Sequence, residues 1–446
     1  MNPTLAIAHE LVRRGEQVVY YMTEAFRVMV EASGARFESY QSSIGMQAPS
    51  GGLLRSPAGL LGALSLLRVR ESKQVLPQVL ERLRAEQADV ILYDRMCLWA
   101  RLAAQILQVP VVLLNPTYAS HEQPRFGPQQ ATEAQPGVLA MFSSVQAGLD
   151  ELCATYGLPR IDTRTLMGHH EALNIVFLPR AFQPGGEIFD ERFVFVGPSI
   201  VPRQEAQAFQ LERLEGQPML FISLGTFYNN RPEFFKLCIE VFRGQPWQVV
   251  MAHGKSVDPA ALGEIPANFL LAPYVPQLEV LQRASVFVTH GGMNSTMESL
   301  YYGVPMVLVP QQIEQEKTAQ RRAELGLGIA LDPYTLTVEA LRTAVEQAPS
   351  FRANVRAMQQ AVRAAGGYQS AADAITGYTS SLKHASKQAQ AVGRAYLVEI
   401  LKLIHNQQFP VLICLDPSRR HIFFNRFIYL FPMPLYRKPL GKISAL

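Results

Sequence analysis

Between Leu271 and Gln315 the chain reads LAPYVPQLEVLQRASVFVTHGGMNSTMESLYYGVPMVLVPQQIEQ, and no other stretch restricts the fold so tightly. Ser285-Val286-Phe287-Val288 is a β-branched and aromatic run of buried-strand type. Thr289-His290-Gly291-Gly292-Met293 turns out of it, and Asn294-Ser295-Thr296 supplies three residue types favoured as helix caps. Tyr302-Gly303-Val304-Pro305 ends that helix and leads into a second apolar strand, Met306 to Val309. Strand, turn, helix and strand in this order make a unit of a parallel sheet covered by helices. A helix that begins at the carboxyl end of a parallel strand carries unpaired N–H groups and a partial positive charge, so it suits phosphate. Two glycines ahead of it let the backbone come close to a ligand. Gly-Gly and Asn-Ser alone suit an ordinary β-loop-α connection equally well.

The whole segment is more specific than its parts. It resembles the donor-binding signature of UDP-glycosyltransferases of the macrolide-glycosyltransferase branch. The resemblance implies that Tyr274 stacks on the uracil, where the family usually has Trp, and that Gln277 hydrogen-bonds the base. It implies that Glu298, near the end of the first helical turn, takes the ribose hydroxyls. His290, Gly292, Asn294 and Ser295 would lie along the diphosphate, and Glu314 with Gln315 would hold sugar hydroxyls. Much of the family has Asp where this chain has Glu314, and Tyr274 is a smaller stacking surface than Trp. Both departures bear on the donor sugar and leave the donor class unchanged. Ser223-Leu224-Gly225-Thr226, after the strand Met219 to Ser223, matches a second family motif, which implies that Gly225 and Thr226 also lie near the diphosphate.

A chain of 446 residues suits two domains. With 48% apolar and 17% charged residues it is globular. Cys97, Cys153, Cys238 and Cys414 lie far apart, which gives neither a metal knuckle nor a disulfide framework and fits a reducing cytoplasm. No apolar run approaches the roughly 18 residues of a membrane span, no secretory signal opens the chain, and no repeat of solenoid period is present. The net charge of +4 is unevenly spread. Residues 385–446 hold nine Lys/Arg against Glu399 and Asp416, or +7, so the rest carries −3 and offers no case for nucleic acid.

The amino-terminal half alternates helix (Leu5 to Arg14), strand (Val18 to Tyr21), helix (about Thr23 to Ser33) and strand (Arg36 to Ser39). A helix over Gln74 to Ala85 and strands over Asp89 to Tyr93 and Val109 to Leu114 follow. That order implies a parallel, doubly wound sheet, which ordinarily begins with a strand. Family members begin with a strand and a Gly-His turn, followed by a segment that Asn2-Pro3-Thr4-Leu5 matches. The His of that turn is the family's general base, and its position falls before Met1, so the first strand and the base are expected to be missing here. His9, well inside the first helix, reads as a surface residue. Asp94 ends a strand, where catalytic groups collect in open α/β sheets, and also suits the N-cap of a helix starting near Met96. The resemblance implies that it orients the catalytic His. Gln47 to Leu60 and Tyr118 to Gly137 read as long acceptor-side loops. His169-His170 reads as a loop or surface pair, since adjacent residues do not face one metal ion together.

The resemblance runs from residue 2 to about 380, and Gly366-Gly367-Tyr368-Gln369 belongs to it. Beyond Lys383 come a helix and then FPVLICLDPSRRHIFFNRFIYLFPMPLYRKPLGKISAL, which lacks sustained periodicity. It reads either as a basic membrane-surface or partner-binding appendage or as unrelated sequence from a shifted frame or fusion. The expected fold is therefore α/β, the GT-B arrangement of two Rossmann-like doubly wound domains facing a cleft. Residues 1–200 would bind the acceptor, 201–217 would link, 218–384 would bind the donor, and 385–446 would form the tail. The implied activity is inverting transfer of a hexose from a UDP-sugar co-substrate to a hydroxyl of an apolar acceptor, such as a macrolide, polyketide or flavonoid-like molecule. No cofactor or metal is expected. Alternatives are a donor-binding pseudo-enzyme that partners an active glycosyltransferase, and a transferase of dTDP-deoxysugars.

Overall fold

A computed structural model describes residues 2–42, 57–120, 136–163, 166, 168–201, 209, 217–225, 229–311 and 313–406. The first helix opens at Asn2 and closes at Arg13, then Gly15, at a positive φ of 90°, turns the chain into β1 (Val19–Met22). The helix expected over Thr23 to Ser33 splits into a 3-10 turn, Glu24–Phe26, and a short helix, Arg27–Glu31, before β2 (Arg36–Ser39). β3 (Ile91–Asp94), helix Leu98–Leu107, β4 (Val111–Asn115), β5 (Leu173–Val176) and β6 (Phe193–Phe195) complete this half.

Two expected loops are partly helical. Helix Pro57–Glu86 takes in the end of the Gln47 to Leu60 stretch, and helix Pro136–Tyr156 takes in the end of the Tyr118 to Gly137 stretch. Residues 43–56 and 121–135 lie outside the described residues. Two glycines within these helices are packing sites. A Cβ at Gly62 would stand 2.9 Å from the Met141 sulfur, and one at Gly148 2.5 Å from a Val69 methyl, so these helices meet where side chains are absent.

The strands of this half do not form one sheet. β1 pairs in parallel with β2, while β3, β4, β5 and β6 form a separate parallel sheet in that order. Among the described residues, β1 and β3 each have one open edge. Their side chains nevertheless share cores. Tyr21 packs in the cluster of Tyr93 and Ile91, and Val18 in the cluster of Leu92 and Val90. The first helix lies across both sheets: Ile7 and Leu11 pack with Val112, Leu114 and Ile175, while Ala8 packs with Val30 and Phe37. β1 is half-buried along its length, whereas β5 is buried throughout.

The second half holds β7 (Met219–Ser223), β8 (Gln248–Ala252), β9 (Phe269–Ala272), β10 (Ala284–Thr289), β11 (Met306–Leu308) and β12 (Gly328–Ala330). All pairs are parallel, and the spatial order is β12-β11-β10-β7-β8-β9, the doubly wound arrangement. Alternate residues feed opposite cores, as strand pleating requires. Leu220, Ile222, Val286 and Val288 pack with Phe235, Cys238 and Leu341 on one side. Phe221 and Phe287, stacked at 4.5 Å, pack with Leu300, Val355 and Val362 on the other. That second core continues into the first half through Phe182, Phe189 and Phe193.

Residues 202–208 and 210–216 of the linker lie outside the described residues. The chain crosses back at the far end of the second half, where the Gly367 amide donates to the Val196 carbonyl at 2.7 Å. A Cβ at Gly367 would stand 2.9 Å from the Pro198 carbonyl oxygen, and one at Gly197 2.9 Å from that of Val362. Glycine is what allows the two backbones to touch here. Helix Gly367–Asn406 then lays Ala371, Ala372 and Ile375 against Ile7, Leu11 and Val196. Among the described residues no helix is long and apolar enough to cross a membrane. Residues 407–446, which hold most of the basic tail, lie outside the described residues.

Candidate functional site

The order of the second sheet reverses direction between β7 and β10, and ligands of open α/β sheets bind outside the strand ends at such a switch point. Both strands end there in glycine turns. Gly225 follows β7 at a φ of 78°, and Gly291 follows β10 at a φ of 82°. His290 fills the space between them. A Cβ at Gly225 would stand 2.6 Å from the imidazole Cε1, and one at Gly292 2.4 Å from Nε2. Burial pushes the imidazole down to about 4, with the Arg322 charge acting in the same direction, so the ring is neutral near pH 7. A neutral imidazole offers one N–H donor and one acceptor.

Helix Met293–Tyr302 has Gly292 as its cap, with no side chain in the capping role. Asn294, Ser295 and Thr296, which looked like cap residues, instead form the first turn. Thr296 N–H donates to the Gly292 carbonyl at 3.0 Å, and its hydroxyl bonds the same oxygen at 2.9 Å. The amides of residues 293–295 precede that first helical bond, so they are the donors an anion can use. Because the helix starts at Met293, Glu298 sits in the second turn rather than at the end of the first.

Glu298 is 5% exposed and accepts a 2.5 Å hydrogen bond from the Gln277 amide, which also reaches the Ser295 hydroxyl at 3.4 Å. The structure thus brings Gln277, Ser295 and Glu298 together, with Asn294 exposed on the same turn. Tyr274 is 52% exposed at the edge of this group, and Lys255 Nζ stands 5.5 Å from its ring centroid. On the other flank, Gln315 accepts from the Gln311 amide at 2.7 Å, and Arg231 donates to the Gln311 side chain at 2.6 Å. Glu314 lies in helix Ile313–Glu324, but its side chain is outside the described residues, as is all of Thr226. Lys255, Arg231 and Gln311 carry no local motif that could have marked them in the sequence.

A model of the EryCIII-like C-terminal domain, described as erythromycin biosynthesis protein CIII-like, matches residues 248–370. The NDP-glycosyltransferase YjiC of Bacillus subtilis (strain 168) is 40% identical over 382 residues, covering 85% of this chain and 94% of the relative. The chain belongs to the UDP-glycosyltransferase family. It lies on the macrolide-type bacterial branch: the demethyllactenocin mycarosyltransferase of Streptomyces fradiae is 31% identical, covering 85% of this chain and 84% of that one. The fold agrees. The crystal structure of CalG4, the calicheamicin glycosyltransferase, superimposes with a TM-score of 0.71 at 34% identity, covering 85% of this chain and 95% of that one. The protein is a glycosyltransferase with the GT-B arrangement.

In this glycosyltransferase Asp94 is the last residue of β3, and burial raises its carboxyl above the usual range. Its Oδ1 accepts from the Met96 amide at 2.8 Å, but the next helix begins only at Leu98 with Cys97 as its cap, so Asp94 is not an N-cap. Beside it Arg95 donates to the Asn115 side chain at 2.9 Å and to the His169 carbonyl at 3.0 Å. His169 is not a surface residue. It is 8% exposed, bonded to the Tyr93 hydroxyl at 3.0 Å and the Leu166 carbonyl at 2.9 Å, because a polar ring this deep needs both nitrogens satisfied. His170 turns away to Arg192 at 2.8 Å. His9 is an exposed helix residue, as expected. Among the described residues no cluster could hold a metal ion.

Proposed function

We propose that the chain transfers a hexose from a UDP-sugar to a hydroxyl of an apolar small molecule, with inversion at the anomeric carbon. The observation that carries this is the pair of glycine turns around His290 at the switch point, opening onto a helix start that no side chain caps. In this reading Tyr274 stacks on the uracil, Gln277 bonds its edge and Glu298 takes the ribose hydroxyls. His290, Asn294 and Ser295, with the Gly225 and Gly292 backbones and Thr226, hold the diphosphate, and Glu314 with Gln315 hold the sugar. The acceptor oxygen attacks the anomeric carbon in line, the bond to the diphosphate oxygen breaks, and UDP departs with the electron pair. A helix N-terminus with preorganised amides stabilises that developing charge. Asp94, at the strand end of the other half, is the group that would orient a general-base His, which the family carries just ahead of the segment matched by Asn2-Pro3-Thr4-Leu5 and which would receive the acceptor proton. Relatives named demethyllactenocin mycarosyltransferase and oleandomycin glycosyltransferase support a small-molecule acceptor.

The test is acceptor-dependent release of UDP from UDP-glucose, with the dTDP-sugar as comparator and Glu298→Gln alongside. Release from UDP-glucose, with kcat/KM lowered about tenfold or more in the variant, is the expected result, since a buried ribose contact to a charged group is worth on the order of 1.5–3 kcal/mol. Preference for the dTDP donor would move the reading to deoxysugar transfer. UDP binding without transfer to any acceptor would leave a donor-binding protein.

A further inference from the structure

Arg322 lies near the end of helix Ile313–Glu324, in the polar run Gln320-Arg321-Arg322-Ala323-Glu324, a composition that ordinarily goes with exposure. It is instead 0% exposed, one of the two largest fully buried side chains described. Its Nη2 donates to the Gly291 carbonyl at 2.6 Å and to the Thr296 hydroxyl. Nη1 fills the space beneath the turn, where a Cβ on Gly291 would stand 2.7 Å away. Neither Nη1 nor Nε has a hydrogen-bond partner, and among the described residues no carboxylate pairs with the guanidinium. The titratable groups that face it are the Tyr118 hydroxyl of the first half, itself buried without a partner, and His290.

A buried, unpaired cation is costly to the fold, and a well-packed apolar side chain of the same length is ordinarily neutral or better in its place. Arg322 therefore does something that packing does not require. Its two bonds tie the Gly291 carbonyl of the turn to the Thr296 hydroxyl in the first turn of helix Met293–Tyr302. Its charge sits in a low-dielectric setting beside the start of that helix, where screening is weak.

We propose that Arg322 is a positioning residue of the donor site, which fixes the Gly291-Gly292 turn and adds a buried positive charge that favours the diphosphate without touching it. This rests on the donor reading given above. Burial lowers the guanidinium to about 9, so it remains charged at neutral pH. The inference separates from a purely structural role because fold and function pull in opposite directions. Removing the charge should leave the fold intact or firmer while weakening the grip on phosphate.

The experiment is calorimetric titration of the full chain with UDP and, separately, with uridine, in the unaltered protein, Arg322→Met and Arg322→Lys, with Tm measured for each. Arg322→Met is expected to bind UDP about tenfold more weakly, the usual scale for one charge-assisted contact, with unchanged uridine affinity and a Tm equal to or above the starting value. Arg322→Lys is expected to recover most of the UDP affinity. Unchanged UDP binding in Arg322→Met overturns the inference. So does a parallel loss of UDP, uridine and Tm, which would make the residue structural. An unaltered chain that takes up no UDP overturns the donor reading and this inference with it, whereas the other two failures leave the donor reading standing.

Discussion

The two halves are built from the same kinds of unit and differ in how completely their sheets close. In the second half, β7 and β10 are paired on both edges and buried on both faces, so the turns at their ends rest on a fixed base. In the first half β1 and β3 are each paired, among the described residues, on one edge and are half-buried for most of their length. Cores shared across the open edges, and a helix laid over both sheets, hold this half together in place of backbone bonds. Local stability follows buried contacts and paired amides, so the Gly291-Gly292 turn belongs to the firmest part of the molecule and Asp94 to a softer one.

The sharpest way to test that contrast is to truncate one side chain in each sheet. Phe287→Ala, in the closed sheet, should cost about 3–5 kcal/mol in urea unfolding, whereas Tyr20→Ala, on half-buried β1, should cost roughly half as much or less. Equal losses would erase the distinction. Hydrogen exchange offers a second route. Amides of β10 should outlast those of β1, and UDP at a hundredfold excess over its Kd should add about 2.7 kcal/mol of protection, concentrated in the second half. Uniform protection would mean that the halves open together.

Acid probes both halves at once. His290 and His169 are neutral when folded, with burial pushing them to about 4 and about 2, against 6.5 as the reference for an exposed imidazole. A group that binds protons more readily when unfolded removes stability as pH falls below its unfolded value. Stability should therefore be fully present above about pH 6.5 and decline towards pH 4, by about 2 kcal/mol for His290, whose ring is not fully covered. His290→Asn should flatten part of that slope, and a slope unchanged in thermal melts across the range would contradict its neutral state. The smallest effect is expected at the rim. Tyr274→Trp enlarges the stacking surface and should tighten UDP by about 0.5–1 kcal/mol, read as a several-fold drop in Kd, unless Lys255 already occupies that face.

What could be read from the sequence was local. The runs Met219 to Ser223 and Gln248 to Ala252 are strands to the residue, and the Gly-Gly turn was legible as a place of close backbone approach, although alone it suited an ordinary β-loop-α connection equally well. Tertiary proximity was not legible. Nothing local marks Gly62 and Gly148 as the places where two helices meet. His169 read as a loop or surface residue because polarity is a good guide to exposure except where a distant hydroxyl or carbonyl makes burial worthwhile, and the burial of Arg322 is a second such exception. The split of the first sheet was legible only as an unusual opening, since no local pattern records which strand edges meet.

The close backbone contacts at Gly197 and Gly367 have a consequence for anyone recombining such enzymes. Because Gly367 returns the chain to the half it left, and Ala371, Ala372 and Ile375 finish a core begun by Ile7 and Leu11, the first half is discontinuous in sequence. A chimera that trades donor specificity between relatives therefore has two seams rather than one. The first falls in the linker, the second at Gly366-Gly367, and a graft cut only at the first would import a foreign terminal helix onto a surface shaped for this one.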